Sequence, residues 1–222
     1  MYTLLHFPLC PFSRKIRLAL AEKGIAFGAT IERPWERREE FLMLNPASEV
    51  PVLIDDEQLV IAHHNAISEF LEEGHPEPSL LGATLEDRAE VRRLVGWFDD
   101  KFNREVTENL VGEKLIKRLS SRSQPHGPAI RAGLTNIRHH LDYIAFLADR
   151  RTWLAGDTLS LADLAAAAHL STVDYLGDVP WDSHGEAKDW YARIKSRPSF
   201  RALLADAIPG IPPPRHYADL DF

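Results

Sequence analysis

Two kinds of apolar spacing divide this chain. Over the first eighty residues, short apolar runs alternate with segments of helical period. Tyr2 to Phe7 is brief and apolar, which predicts a buried strand. Ser13 to Lys23 carries Ile16, Ala19 and Leu20 on one face and Arg14, Lys15, Arg17 and Glu22 elsewhere, the layout of an amphipathic helix. Gly24 then stands where a left-handed cap ends such a helix. Phe27 to Ile31 predicts a second strand. Val50 to Ile54, an Asp55-Asp56 turn and Leu59 to Ile61 predict an antiparallel hairpin. Asn65 is expected to cap a helix whose inner face is Ile67, Phe70 and Leu71. Gly74 to Thr84, with Pro76 and Pro78, has the composition of a linker.

From Leu85 onward the period is helical throughout. Val91, Leu94, Val95, Phe98 and Phe102 form one apolar stripe, and Ile130, Leu134, Ile137, Leu141 and Ile144 form another. The polar break from Ser120 to Pro128 separates them. Ser160-Leu161-Ala162-Asp163 opens a further apolar helix, and Trp190 with Ile194 marks one more, so this half predicts a helical bundle. Beyond Ile208, Pro209, Pro212, Pro213 and Pro214 exclude helix and favour an extended polyproline stretch.

Composition narrows the function classes. The 222 residues carry a formal net charge of -7, which argues against nucleic acid or an anionic membrane as partner. Cys10 is the one cysteine, so an intrachain disulfide is impossible and a reducing cytoplasm is the expected setting. No apolar stretch approaches the length of a spanning helix.

Cys10-Pro11-Phe12-Ser13 falls where the first strand ends and a helix begins. Free N–H groups and the positive dipole end there favour a thiolate. The arrangement is that of a thioredoxin-type site with Ser13 in place of the second cysteine; the alternative is an inert cysteine packing a strand end. Val50-Pro51 at a strand start is expected to be cis, presenting backbone groups beside the thiol. The pairs His63-His64 and His139-His140 are adjacent residues that should point apart, so no metal site is expected.

These landmarks resemble the glutathione transferase family. Cys10-Pro-Phe-Ser, the run from Arg17 to Gly24, Asn45-Pro-Ala-Ser-Glu-Val-Pro-Val-Leu53 and Ala66-Ile67 are similar to its motifs in order and spacing. Leu154 to Asp163 resembles its buried capping box, Ser160 capping and Asp163 reaching back, and Arg197-Pro-Ser-Phe200 its closing signature. The resemblance implies an α/β thioredoxin-like domain (1–80), an all-helical domain (85–206) and a proline-rich acidic tail (207–222). It implies Cys10 at the catalytic position of cysteine-type classes and Val50 holding the glutathione cysteine. The γ-glutamyl end would meet His64 and Asn65. Such enzymes carry an acid or glutamine followed by serine there. His64 supplies no anion, so the glutathione site is expected to be impaired and no cofactor to be required.

Three further segments resemble a specialised branch, the transferase-like regulators that bind FtsZ filaments during division in alphaproteobacteria. They are the run from Glu32 to Glu40 around Trp35, the charged cluster Glu113, Lys114, Lys117, Arg118 and Arg122, and the tail ending in Asp-Leu-Asp-Phe222. That resemblance implies a homodimer whose partner is FtsZ polymer, contacted through Trp35, Glu113, Arg201, Asp219, Asp221 and Phe222. Two alternatives keep the fold: a thiol transferase or reductase acting through Cys10, and a stress-response binding protein that contacts transcription machinery.

Overall fold

The computed structural model describes residues 1–120 and 123–220. Its first part is a four-stranded sheet of order β2-β1-β3-β4, formed by β1 (Tyr2–His6), β2 (Phe27–Ile31), β3 (Val52–Ile54) and β4 (Val60–Ala62). β1 and β2 are parallel and joined by helix α1 (Pro11–Glu22), whereas β3 and β4 run antiparallel as a hairpin. Short α2 (Glu39–Leu44) fills the irregular stretch, and α3 (His64–Gly74) closes this unit. α1 ends in a Schellman cap: Gly24 takes φ 66°, its N–H bonds Ala21 O, and the Ile25 N–H bonds Leu20 O.

The rest is helical. A capping box between Thr84 and Asp87 starts α4 (Leu85–Gly96). α4 continues through a π-helical stretch (Trp97–Ile116) into a last turn, α5 (Lys117–Ser120). The wider winding shows in the burial pattern. Phe98, Phe102, Val106, Leu110 and Leu115 are all fully buried at intervals of four or five residues, longer than an α-helix would give. Then come α6 (Gly127–Ala148), α7 (Leu161–Asp174), α8 (Gly185–Lys195) and α9 (Arg201–Leu204). At Gly133, α6 approaches the π-helical stretch so closely that a Cβ would lie 2.8 Å from Leu110 Cγ. The Asp163 carboxylate at the start of α7 accepts from the Ser160 backbone, Leu154 N and Trp190 Nε1, so the expected cap at Ser160 also ties three segments together.

Several expectations are corrected. Arg14, Lys15 and Arg17 are buried, because α1 packs against both α3 and α7 and has no solvent face along most of its length. α3 starts at His64, so the residue before the helix is His63; its Nδ1 accepts from the Asn65 N–H, and Asn65 is not the cap. Leu134 is exposed on the outer side of α6. The stretch after Gly74 is no loose linker: Leu80 and Leu81 are buried, and the Glu72 carboxylate accepts from Leu80 N.

The tail is folded rather than extended. Ile208 and Ile211 form a short bridge, Arg215–Ala218 makes a single 3₁₀ turn, and Tyr217 is fully buried. Tyr175 Oη donates to Ile211 O and accepts from Ile208 N, while Lys195 Nζ donates to His216 O and Asp219 O.

Candidate functional site

A cleft of about 660 Å³ opens between the sheet unit and the bundle. One wall carries Cys10, Phe12, Trp35 and the Val50–Pro51 turn; Thr107, Val111 and Ile116 of the π-helical stretch form the other. The Val50–Pro51 peptide is cis, as expected. Cys10 is the residue before α1 and is half-buried at the cleft floor, its thiol 3.6 Å from Val50 O. Burial pushes the thiol up, and this outweighs the hydrogen bonds from Ser13 and Phe12 and the nearby Arg14 charge, which favour the thiolate. Of the two readings, the inert cysteine is the one that this desolvation favours. Ser13 is buried, and its Oγ accepts from the Phe7 N–H at 3.4 Å.

Beside the thiol the chain enters α3 through His63, whose φ of 79° and ψ of 129° lie in a region that non-glycine residues rarely adopt. The His63 and His64 rings do not diverge; they stack with centroids 4.3 Å apart, and His64 stacks in turn on Phe12 at 4.2 Å.

Behind His64 lies a buried polar cluster that the apolar pattern did not reveal. Lys15 Nζ sits 2.9 Å from His64 Nδ1 and forms an ion pair with the Asp99 carboxylate. His169 Nε2 is 3.5 Å from Asp99 Oδ1, and its other nitrogen bonds Thr107 Oγ1 at 2.8 Å. His64 Nδ1 also lies 3.3 Å from Asp99 Oδ2, so this nitrogen faces both the ammonium and the carboxylate. Burial lowers the pKa of both His64 and His169. Burial opposes ionisation of Asp99, yet Lys15, His169 and His64 together hold its carboxyl well below the usual carboxylate range. The Lys15 ammonium and the Asp99 carboxylate thus offset each other within the cluster. None of His63, His64 and Asn65 supplies an anion, and the nearby Asp99 is already committed to Lys15.

The other anticipated contact residues are dispersed. Trp35 is half-buried, edge-on to Phe7 with centroids 5.0 Å apart. Glu113 accepts from Lys117 Nζ at 2.6 Å and from the His126 N–H at 2.8 Å, which ties the end of the long helix to the start of α6. Arg201 and Asp219 are exposed at the opposite end of the bundle's chain order, near the tail. Asp221, Phe222 and Arg122 lie outside the described residues. The residues that sequence reading missed are Lys15, Asp99, Thr107 and His169. Lys15 gave the one available signal, a cation one step from the apolar face of α1.

The glutathione S-transferase N-terminal domain family matches residues 9–73, and the corresponding C-terminal domain family matches residues 109–198. The chain belongs to the glutathione S-transferase family. It is 51% identical over 223 residues to the FtsZ-localized protein A of Caulobacter vibrioides, covering 99% of this chain and 98% of that protein. Among solved structures, a glutathione S-transferase from Rhodospirillum rubrum F11 superposes over 100% of both chains with a TM-score of 0.98 and 59% identity. FzlA from C. crescentus superposes over 100% of this chain and 99% of its own with a TM-score of 0.96 and 51% identity. Within this family fold the sheet unit and the helical bundle occur as expected, and no described helix is long and apolar enough to cross a membrane.

Proposed function

We propose that this member of the glutathione S-transferase family is a non-catalytic division regulator that binds FtsZ filaments. The observation that carries the reading is the 51% identity to FtsZ-localized protein A along essentially the whole of both chains. The site chemistry supports it from the other side. At the place where a γ-glutamyl ammonium would need an anion, the Asp99 charge is taken by Lys15. A missing charge-assisted contact weakens binding by about 1.5–3 kcal/mol, or about ten- to a hundredfold. The Cys10 thiol, pushed up by burial, holds little thiolate near neutral pH.

In this reading the protein acts in the cytoplasm at the division site as a homodimer. Twofold symmetry presents each weak contact patch twice to a repeating filament, converting modest contacts into avid binding. Trp35 on the cleft wall, Arg201 and the tail acids are the proposed contacts. Glu113 is the weakest of the set, since its carboxylate already holds Lys117 and the His126 backbone. No cofactor is required, and glutathione is a poor ligand at best. The net charge of -7 argues against nucleic acid and an anionic membrane as partners.

The test pairs two assays on one preparation, pelleting with assembled FtsZ and retention on immobilised glutathione. Pelleting without retention is the expected result. Retention without pelleting would replace the reading with a thiol transferase, for which the open cleft and Cys10 beside cis Pro51 leave room.

A further inference from the structure

The tail reaches the Cys10 turn through one buried side chain. Arg14 lies one turn into α1 and is wholly buried. Its guanidinium has five N–H donors, and each finds an acceptor. Nε donates to Pro8 O at 2.7 Å, Nη1 to Ser171 Oγ at 2.8 Å and to Tyr217 Oη at 2.9 Å, and Nη2 to Asp206 Oδ2 at 3.1 Å and to Leu203 O at 3.5 Å. Tyr217 passes the connection on by donating to Leu203 O at 3.2 Å. Pro8 lies in the turn between β1 and α1, where the Cys10 N–H bonds Phe7 O. A continuous set of hydrogen bonds therefore runs from the tail, through Arg14, to the backbone that places the lone thiol.

Two other anchors hold the tail on either side of Tyr217. Tyr175 clamps Ile208 and Ile211 before it, and Lys195 gathers the carbonyls of His216 and Asp219 around it. His216 Nε2 also lies 3.0 Å from Asp174 Oδ1. Tyr217 is fully buried, so the tail cannot leave its seat without stripping an acceptor from a buried guanidinium.

From this geometry we infer that residues 208–220 form a strap that holds the Cys10 turn closed, so that occupancy of the tail and the state of the cleft floor are linked. A partner that binds the tail by lifting it from α7 and α8 loosens the turn at Cys10; by reciprocity, a ligand that displaces the turn weakens the seat of the tail. The inference stands whether or not that partner is FtsZ.

Cys10 is the sole cysteine, so its alkylation by iodoacetamide reports the strap without ambiguity. Two variants loosen it at different points: Tyr217→Phe removes the acceptor from Arg14, and Lys195→Met releases the two tail carbonyls without touching Arg14. Both should speed alkylation, Tyr217→Phe by about tenfold, the effect of one lost hydrogen bond to a charged group. The increase should be nearly independent of low urea, because strap opening exposes little surface, whereas global unfolding would give a steep dependence. Unchanged rates in both variants would overturn the inference, and so would acceleration confined to Tyr217→Phe, since that makes the effect local to one hydroxyl. Should Tyr217→Phe fold poorly, Lys195→Met carries the test alone.

Discussion

Lys15 Nζ lies 2.9 Å from His64 Nδ1, and the same ammonium is paired with Asp99. Lys15 is in α1, His64 opens α3 and Asp99 comes from the π-helical stretch of the bundle, so one buried contact joins both halves of the molecule at the edge of the candidate site. The pair behind that site is electrically closed.

Removing one partner of that pair leaves an uncompensated buried charge. Lys15→Met should destabilise the fold by about 3–5 kcal/mol in urea unfolding, and Asp99→Leu by a similar amount. The double variant should recover most of the loss, because two apolar side chains then replace two charges that had to be desolvated. Strictly additive losses would show that the pair contributes nothing through its coupling.

Acid should destabilise the protein in a defined window. Burial pulls His6 and His140 down to about 4 from 6.5. Between those values the unfolded chain holds protons that the folded chain refuses, so stability is full above about pH 6.5 and is lost as the pH falls toward about 4, on the order of 3 kcal/mol for each histidine. His140→Gln should flatten the stability–pH curve across this window. A curve of unchanged slope would show that His140 is protonated in the folded protein.

Alkylation of Cys10 should keep accelerating into alkaline solution, past the point where an ordinary cysteine is half-ionised, because burial raises its pKa. An inflection near neutral pH would instead indicate an activated thiolate and reopen the catalytic reading.

Deleting Ile211 to Phe222 should lower the melting temperature as well as any partner binding, since it removes the buried Tyr217 and the bonds to Arg14 and Lys195. A Tyr217→Phe substitution alone should lower stability by about 1.5–3 kcal/mol, the range for a hydrogen bond to a charged group. A truncated chain that melts like the full one would show that the tail is not part of the fold.

The sheet, the helix order, the cis Val50–Pro51 bond and the Ser160–Asp163 cap were legible because each is written in a local signal: period, proline, or a capping pair three residues apart. The buried charges were not. Arg14 and Lys15 read only as polar positions off the apolar face of α1, because their partners, Tyr217, Asp206 and Asp99, are distant in sequence and become visible only once α1 is packed in the fold. The thiol left two readings open for a related reason: the helix terminus is a local signal, whereas desolvation depends on the whole fold. Prolines in the tail excluded a long helix correctly, yet they carried no information about the pocket that takes Tyr217. The capping role given to Asn65 fell to His63 because its ring nitrogen reaches the Asn65 N–H.

The most direct measurement is a pelleting titration of this protein against GTP-assembled FtsZ with millimolar glutathione present throughout. The expected result is saturable recovery in the polymer pellet, undiminished by the tripeptide and weakened by Trp35→Ala. Protein that stays in the supernatant at every polymer concentration would contradict the assignment.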